Sequence, residues 1–411
     1  PRPRAHPSAR RDTPEDPRMP DARAPREILE TLVGFDTTSA KSNLPLIHWV
    51  RDWLAELGVE STLVPDETGT KAALFAQVGP NVPGGVVLSG HTDCVPVADQ
   101  AWSSDPFTLV ERDGRLFGRG TSDMKGFDAL ALAAVPRALE AGLKRPLQIA
   151  LSYDEEVGCR GAPPMIAAMR EALPPAEAVI VGEPTLMRTV TAHKGIVGLI
   201  TRVRGFEVHS SLCHTGVSAV AAGARLAAWL DARMAENAAR APASPEAAAY
   251  APPWTTLHVG RFEGGTAHNI TAGHAWFSTD IRVAPPETTD AWVARYREEA
   301  ARLEAELRRI RPEARIEIEE RATVPPCRRE PAGLAGDGAA ERLVRALTGD
   351  NSDNVVAYAT EAGQFQDAGY SAAICGPGSI EQAHQPDEFI AVSELEAGEA
   401  FMHRLVDRLA A

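Results

Sequence analysis

Two textures of apolar patterning alternate along this chain. From Arg26, the stretches PREILETLVGF and NLPLIHWVRDWLAELG place apolar residues at helical spacing and predict two amphipathic helices, the second closed by Gly58. KAALFAQV, GGVVLSG, LQIALSY and EAVIVGE are near-continuous apolar runs that predict strands, with the helical pattern KGFDALALAAVPRALEAG between the second and third. Pro136 inside that helix is expected to kink it or to begin a second one. Strands apolar on both faces and separated by helices belong in a mainly parallel sheet covered on both sides.

After Glu183 the texture changes. Residues 190–204, 254–262, 273–283 and 314–320 read as strands, and 216–238 and 287–310 as helices, which together predict a two-layer α+β unit with a long loop over 241–253. From about residue 324 the first texture returns, with a helix near 338–348, short strands in VVAYA and SAAICG, and a final helix after AVSELE, where Ser393 and Glu396 form a capping box. The predicted fold class is thus α/β: a mixed, mainly parallel sheet sandwiched by helices, interrupted by an inserted α+β domain. The expected divisions are a large domain over 21–186 and 323–411 and the insertion over 187–322. Residues 1–20 are rich in proline and arginine without an apolar stretch and read as a disordered tail, with Met19 a candidate natural start.

Charge and cysteine content narrow the function classes. A net charge of −14 disfavours a nucleic-acid surface, and sparse aromatics (6%) disfavour a base-stacking platform. The apolar runs fall well short of the length a membrane span requires. Cys94, Cys159, Cys213, Cys327 and Cys375 lie far apart without paired spacing, which fits reduced thiols in a cytoplasm. Cys159 reads as a packing thiol, and His193 is among the histidines given no role.

The chemistry gathers at predicted strand ends, where open α/β sheets bind ligands. GGVVLSG runs into His91 and Asp93, LQIALSY into Glu155 and Glu156, and EAVIVGE into Glu183, while Asp123 (GRGTSDMKG) and His384 (GSIEQAHQPDE) lie in loops. Buried carboxylates in such number need positive charge, and a mixed imidazole and carboxylate set suits zinc, cobalt or manganese. A lone catalytic zinc takes three protein ligands, so this many donors point to two divalent ions sharing a bridging carboxylate. Successive strand residues face opposite ways, so one of Glu155 and Glu156 can ligate while its neighbour stays free as a base.

With these residues assembled, the chain resembles the dinuclear-metal amidohydrolases, a family that includes acetylornithine deacetylase, succinyl-diaminopimelate desuccinylase, aminoacylase and glutamate-releasing carboxypeptidases. The likeness runs from about residue 24 to the end through GHTDCVPV, GRGTSDMKG, SYDEEVGCRGAP, VGEPT, RGFEVHSS and GGTAHNI, and TEAGQF with CGPGSIEQAHQPDEF resembles the acetylornithine deacetylase branch. The resemblance implies a metallo-aminopeptidase-like catalytic domain with a lid and dimerisation domain. It implies two metal ions, zinc foremost and cobalt second, with Asp123 bridging, His91 and Glu183 on one ion, and Glu156 and His384 on the other. Asp93 would orient His91, and Glu155 would be the general base. His209 would reach the active site of a partner subunit in a homodimer to stabilise an oxyanion. Asn269 and Arg282 would bind substrate, Arg282 through the substrate carboxylate, with a structural salt bridge as its alternative role. The expected reaction is hydrolysis of N-acetyl-L-ornithine to L-ornithine and acetate in arginine biosynthesis. The alternatives are succinyl-diaminopimelate or another N-acyl amino acid as substrate, or an inactive metal-binding protein on the same scaffold.

Overall fold

The computed structural model describes residues 23–240, 242–330 and 338–411, so the tail expected over 1–20 lies outside the described residues. Helices α1 (Pro25–Val33) and α2 (Leu44–Glu56) lead into β1 (Ser61–Pro65), β2 (Ala72–Val78) and β3 (Gly85–His91). A hairpin of β4 (Val110–Arg112) and β5 (Arg115–Phe117) precedes α3 (Lys125–Glu140), β6 (Leu147–Ser152), α4 (Ala162–Ala172), β7 (Ala176–Pro184) and β8 (Val190–His193). Next come β9 (Gly195–Arg204), α5 (Ala219–Ala239), β10 (Thr256–Gly264), β11 (His274–Val283), α6 (Thr289–Ile310) and β12 (Arg315–Val324). The chain closes with α7 (Ala339–Thr348), β13 (Asn354–Val356), α8 (Ala362–Asp367), β14 (Ala372–Gly376), β15 (Phe389–Ala391) and α9 (Val392–Ala410).

The large sheet has the order β1-β2-β6-β3-β7-β14-β8-β13. Its centre is parallel, with β3 paired to β6 and β7 and β7 to β14, while β1 and β2 run antiparallel at one edge. Every residue of β3, β6 and β14 is buried, which is why their sequences read as near-continuous apolar runs. The two faces still alternate. Val86 and Leu88 join the core formed with α1, α2, α3 and α9, whereas Val87 joins the core with α4 and α8. The same alternation places Ser89 and His91 on the α8 face.

A separate, smaller antiparallel sheet has the order β10-β11-β9-β12. Along β9 and β11, buried and partly exposed residues alternate, and the buried ones pack with Leu226, Leu230, Trp292, Tyr296 and Leu303 of α5 and α6. This is the one-sided burial that an alternating sequence encodes.

Three local expectations are corrected. The single strand expected over 190–204 is two: β8 belongs to the large sheet and β9 to the small one, so the chain changes sheets at Lys194. An apolar pattern reports burial and cannot show which sheet supplies it. No second helix begins at Pro136: one helix runs from Lys125 to Glu140, in which Pro136 removes a single donor and most residues are buried. Ser393 caps nothing. Helix α9 starts at Val392, straight out of β15, with no side-chain cap, and the Val392 N–H is taken by Gly114 O. Pairing of β15 with β5 fixes that junction.

Candidate metal centre and active site

Three parallel strands deliver side chains to one edge of the large sheet. β3 ends on His91, β6 opens into the turn holding Glu155 and Glu156, and β7 carries Glu183 near its end. Asp123 precedes α3, across a cis peptide to Met124, and His384 lies in the loop between β14 and β15. The Asp123 carboxylate faces two ways. One oxygen is 2.9 Å from His91 Nε2 and the other 3.4 Å from His384 Nε2. His91 Nε2 is also 3.8 Å from a Glu183 oxygen, and His384 Nε2 is 3.0 Å from a Glu156 oxygen. The result is two clusters, His91–Asp123–Glu183 and Asp123–Glu156–His384, each with its donor atoms within 4.8 Å of one another.

The electrostatics of this grouping show what it lacks. Burial pushes Glu155 up to about 8, with Glu156 and Asp123 adding to it against His91. Burial and Asp123 push Glu156 up to about 7. Glu183 is driven well above the usual carboxylate range by burial and by Asp123 and Glu155. Hydrogen bonds to Asp123 and Glu156 raise His384 to about 10. For His91, burial works downward, but the bonds to Asp123 and Asp93 win and raise it well above its ordinary value. So many acids cannot all be ionised together without cations beside them. The oxygen and nitrogen donors, the shared carboxylate and the unmet negative charge therefore fit a pair of divalent ions.

The surroundings assign further tasks. Among the acids of the β6 turn, Asp154 is neutralised by Lys71. The Asp93 carboxylate lies 3.6 Å from His91 Nδ1, but its own carbonyl is closer, at 2.9 Å. That carboxylate instead accepts from Ser39 Oγ at 2.6 Å and from the Glu155 N–H at 3.0 Å. Asp93 thus orients the imidazole through its backbone and secures the Glu155 turn through its side chain. Glu388 accepts the N–H groups of Gly120, Ser122 and Asp123 and pairs with Arg119, which holds the loop that presents Asp123.

Asp123, Glu155, Glu156, Glu183, His384 and Arg282 all line one cleft of about 470 Å³, walled on the other side by Ile196, Arg321, Ala322 and Val324 of the small sheet. His91 and Asp93 are buried beneath it. Arg282 lines the cleft and is held by Asp280 in a two-pronged ion pair of 2.8 and 3.1 Å, the structural salt bridge weighed as its alternative role. His209 and Asn269 do not line the cleft. Both are exposed on adjoining loops of the small domain, where the Ser210 N–H donates to Asn269 O. Sequence reasoning missed Tyr358 and Arg160 in the lining. Cys159, read as a packing thiol, is buried, and sequence reasoning missed that its thiol lies 3.2 Å from a Glu155 carboxylate oxygen. The one signal available was its place four residues after Glu155.

Comparison with known proteins agrees with this geometry. The family model described as peptidase family M20/M25/M40 matches residues 87–408. An acetylornithine deacetylase of Myxococcus xanthus is 35% identical over 393 residues, covering 93% of this chain and 96% of that relative. Among solved structures, the M20 family metallo-carboxypeptidase Sso-CP2 from Sulfolobus solfataricus aligns with a TM-score of 0.73 at 16% identity, covering 94% of this chain and 99% of the other. The Bacillus subtilis YXEP protein, a dinuclear metal-binding peptidase from the M20 family, aligns with a TM-score of 0.60 at 13% identity, over 93% and 97% of the two chains.

Proposed function

Because this chain belongs to peptidase family M20/M25/M40, a family of metal-dependent hydrolases, we propose that it removes the acyl group from an N-acyl amino acid, with N-acetyl-L-ornithine as substrate. The observation that carries the reading is the two-faced Asp123 carboxylate between His91 and His384, with Glu155 beside it in the same cleft. The long, one-third-identical match to an acetylornithine deacetylase supports the choice of substrate.

His91, Asp123 and Glu183 would hold one ion and Asp123, Glu156 and His384 the other, zinc being the expected metal and cobalt a working substitute. Bound there, such a pair supplies Lewis acidity toward the acyl carbonyl and toward water. Glu155 is the general base: it takes a proton from water in the cleft as the oxygen attacks the acyl carbon. The same carboxylic acid then gives the proton to the amide nitrogen, the C–N bond breaks, and acetate and free amine leave. Arg282 holds the substrate carboxylate with a planar, two-pronged guanidinium. His209 completes the oxyanion site from the small domain of a second subunit, a role supported by its exposure and by exposed Leu212 and Ile270 beside it. The role given to His209 requires a homodimer, and five cysteines without a disulfide support a reducing, cytoplasmic setting.

Purified protein, stripped with chelator and reloaded with zinc or cobalt, should hydrolyse acetylornithine only when metal is present, and faster than acetylmethionine or succinyl-diaminopimelate. Preference for the succinyl substrate would move the assignment to a desuccinylase. No turnover of any of the three would remove the amidohydrolase reading.

A further inference from the structure

The segment TEAGQF puts a further carboxylate next to the site. Glu361 is 1% exposed at the start of α8, on the face of the sheet that His91 occupies. Its carboxylate accepts a hydrogen bond from Ser89 Oγ at 3.1 Å and another, closer one from Ser152 Oγ. Those serines mark the strands that supply the metal donors. Ser89 lies two residues before His91 on β3, and Ser152 is the residue of β6 paired directly across from His91. The turn with Glu155 and Glu156 begins immediately after it.

The residues just before the segment are equally placed. Tyr358 and Ala359 form part of the cleft wall, and the Thr360 N–H donates to His193 Nε2 at 3.3 Å. Burial raises Glu361 to about 7 against the opposing pull of Ser152, His91 and Ser89. Retaining an acid in so unfavourable a place costs stability. An apolar residue would fill the space without that cost but could not accept from two hydroxyls at once.

We propose that Glu361 is a positioning residue: by accepting from Ser89 and Ser152 together, it locks the cleft wall at Tyr358 and Ala359 to the rung of the sheet that carries His91 and opens into Glu155 and Glu156. It touches neither substrate nor reacting atoms and acts through the two serines on the spacing of the donors. The inference rests on the reading of those donors as metal ligands. Groups that orient ligands from behind a metal site typically change metal affinity ten- to a hundredfold when removed.

The test uses full-length protein loaded with cobalt, whose visible absorption reports ligand geometry, together with zinc affinity measured by chelator competition. Glu361→Gln keeps the shape but can accept through one oxygen only, and Ser89→Ala with Ser152→Ala removes both donors while leaving the acid. Both variants should bind zinc about tenfold or more weakly than the parent and show the same altered cobalt spectrum, and combining all three changes should add little. Melting of the metal-free proteins identifies a variant that has merely unfolded. Parent-like affinity and spectrum in Glu361→Gln overturn the proposal while leaving the hydrolase reading intact. A parent protein that binds neither zinc nor cobalt overturns both.

Discussion

At the residue scale, the turn after β6 divides labour among adjacent acids. Asp154 is spent on Lys71, Glu156 faces His384, and Glu155 points into the cleft with a thiol as its neighbour. Of the two glutamates, Glu156 meets a histidine and Glu155 meets none among the described residues, which is what a base needs if it is to trade protons with water and a leaving amine. Glu155→Gln should therefore lower kcat by about a hundredfold or more while metal content, measured by elemental analysis, stays at the parent level. Loss of metal in that variant would reassign Glu155 as a ligand.

At the element scale, the junction where β8 hands over to β9 depends on a buried neutral imidazole. His193 is 0% exposed, its Nδ1–H donates to Lys194 O at 2.9 Å, and Nε2 accepts from Thr360. Burial holds its pKa down to about 4, against the ordinary 6.5, outweighing the two backbone bonds. The unfolded chain takes up this proton below pH 6.5 and the folded chain only near pH 4. The contribution of His193 to stability is thus complete above that window and is lost as pH falls through it. Denaturant melts should show the stability gap between parent and His193→Gln shrinking by about 2 kcal/mol between about pH 7 and about pH 5. A gap independent of pH would mean that His193 takes up its proton as readily in the fold as in the unfolded chain.

At the scale of the whole molecule, one cleft lies between two sheets, with the large sheet and its loops supplying the carboxylates and His384 and the small sheet Ile196, Arg282 and Val324. His209 stands outside that cleft in the single chain. If it serves a partner's site, Glu155→Gln subunits and His209→Ala subunits, each nearly inactive alone, should regain activity when unfolded and refolded together. A mixed dimer then contains one site with both groups intact, and random pairing of equal amounts gives about a quarter of parental activity. No recovery on mixing would place His209 in its own subunit's chemistry or outside the reaction.

The sequence by itself determined the elements and the donor types. Burial on two faces writes a near-continuous apolar run and burial on one face writes alternation, so the two sheets could be told apart from β3 and β11 alone. Acids and histidines at the ends of such runs announced a polar site because nothing else explains charge placed there. Tertiary structure alone decided the pairings. That Asp123 turns one oxygen to each histidine, that Asp93 works through its carbonyl as well as its carboxylate, and that Glu361 reaches back across the chain to Ser89 and Ser152 all follow from strand register and loop packing. Patterning is set by whether a side chain meets water, a local property. Which atoms face one another depends on contacts between distant segments, and these leave no periodic trace in the chain.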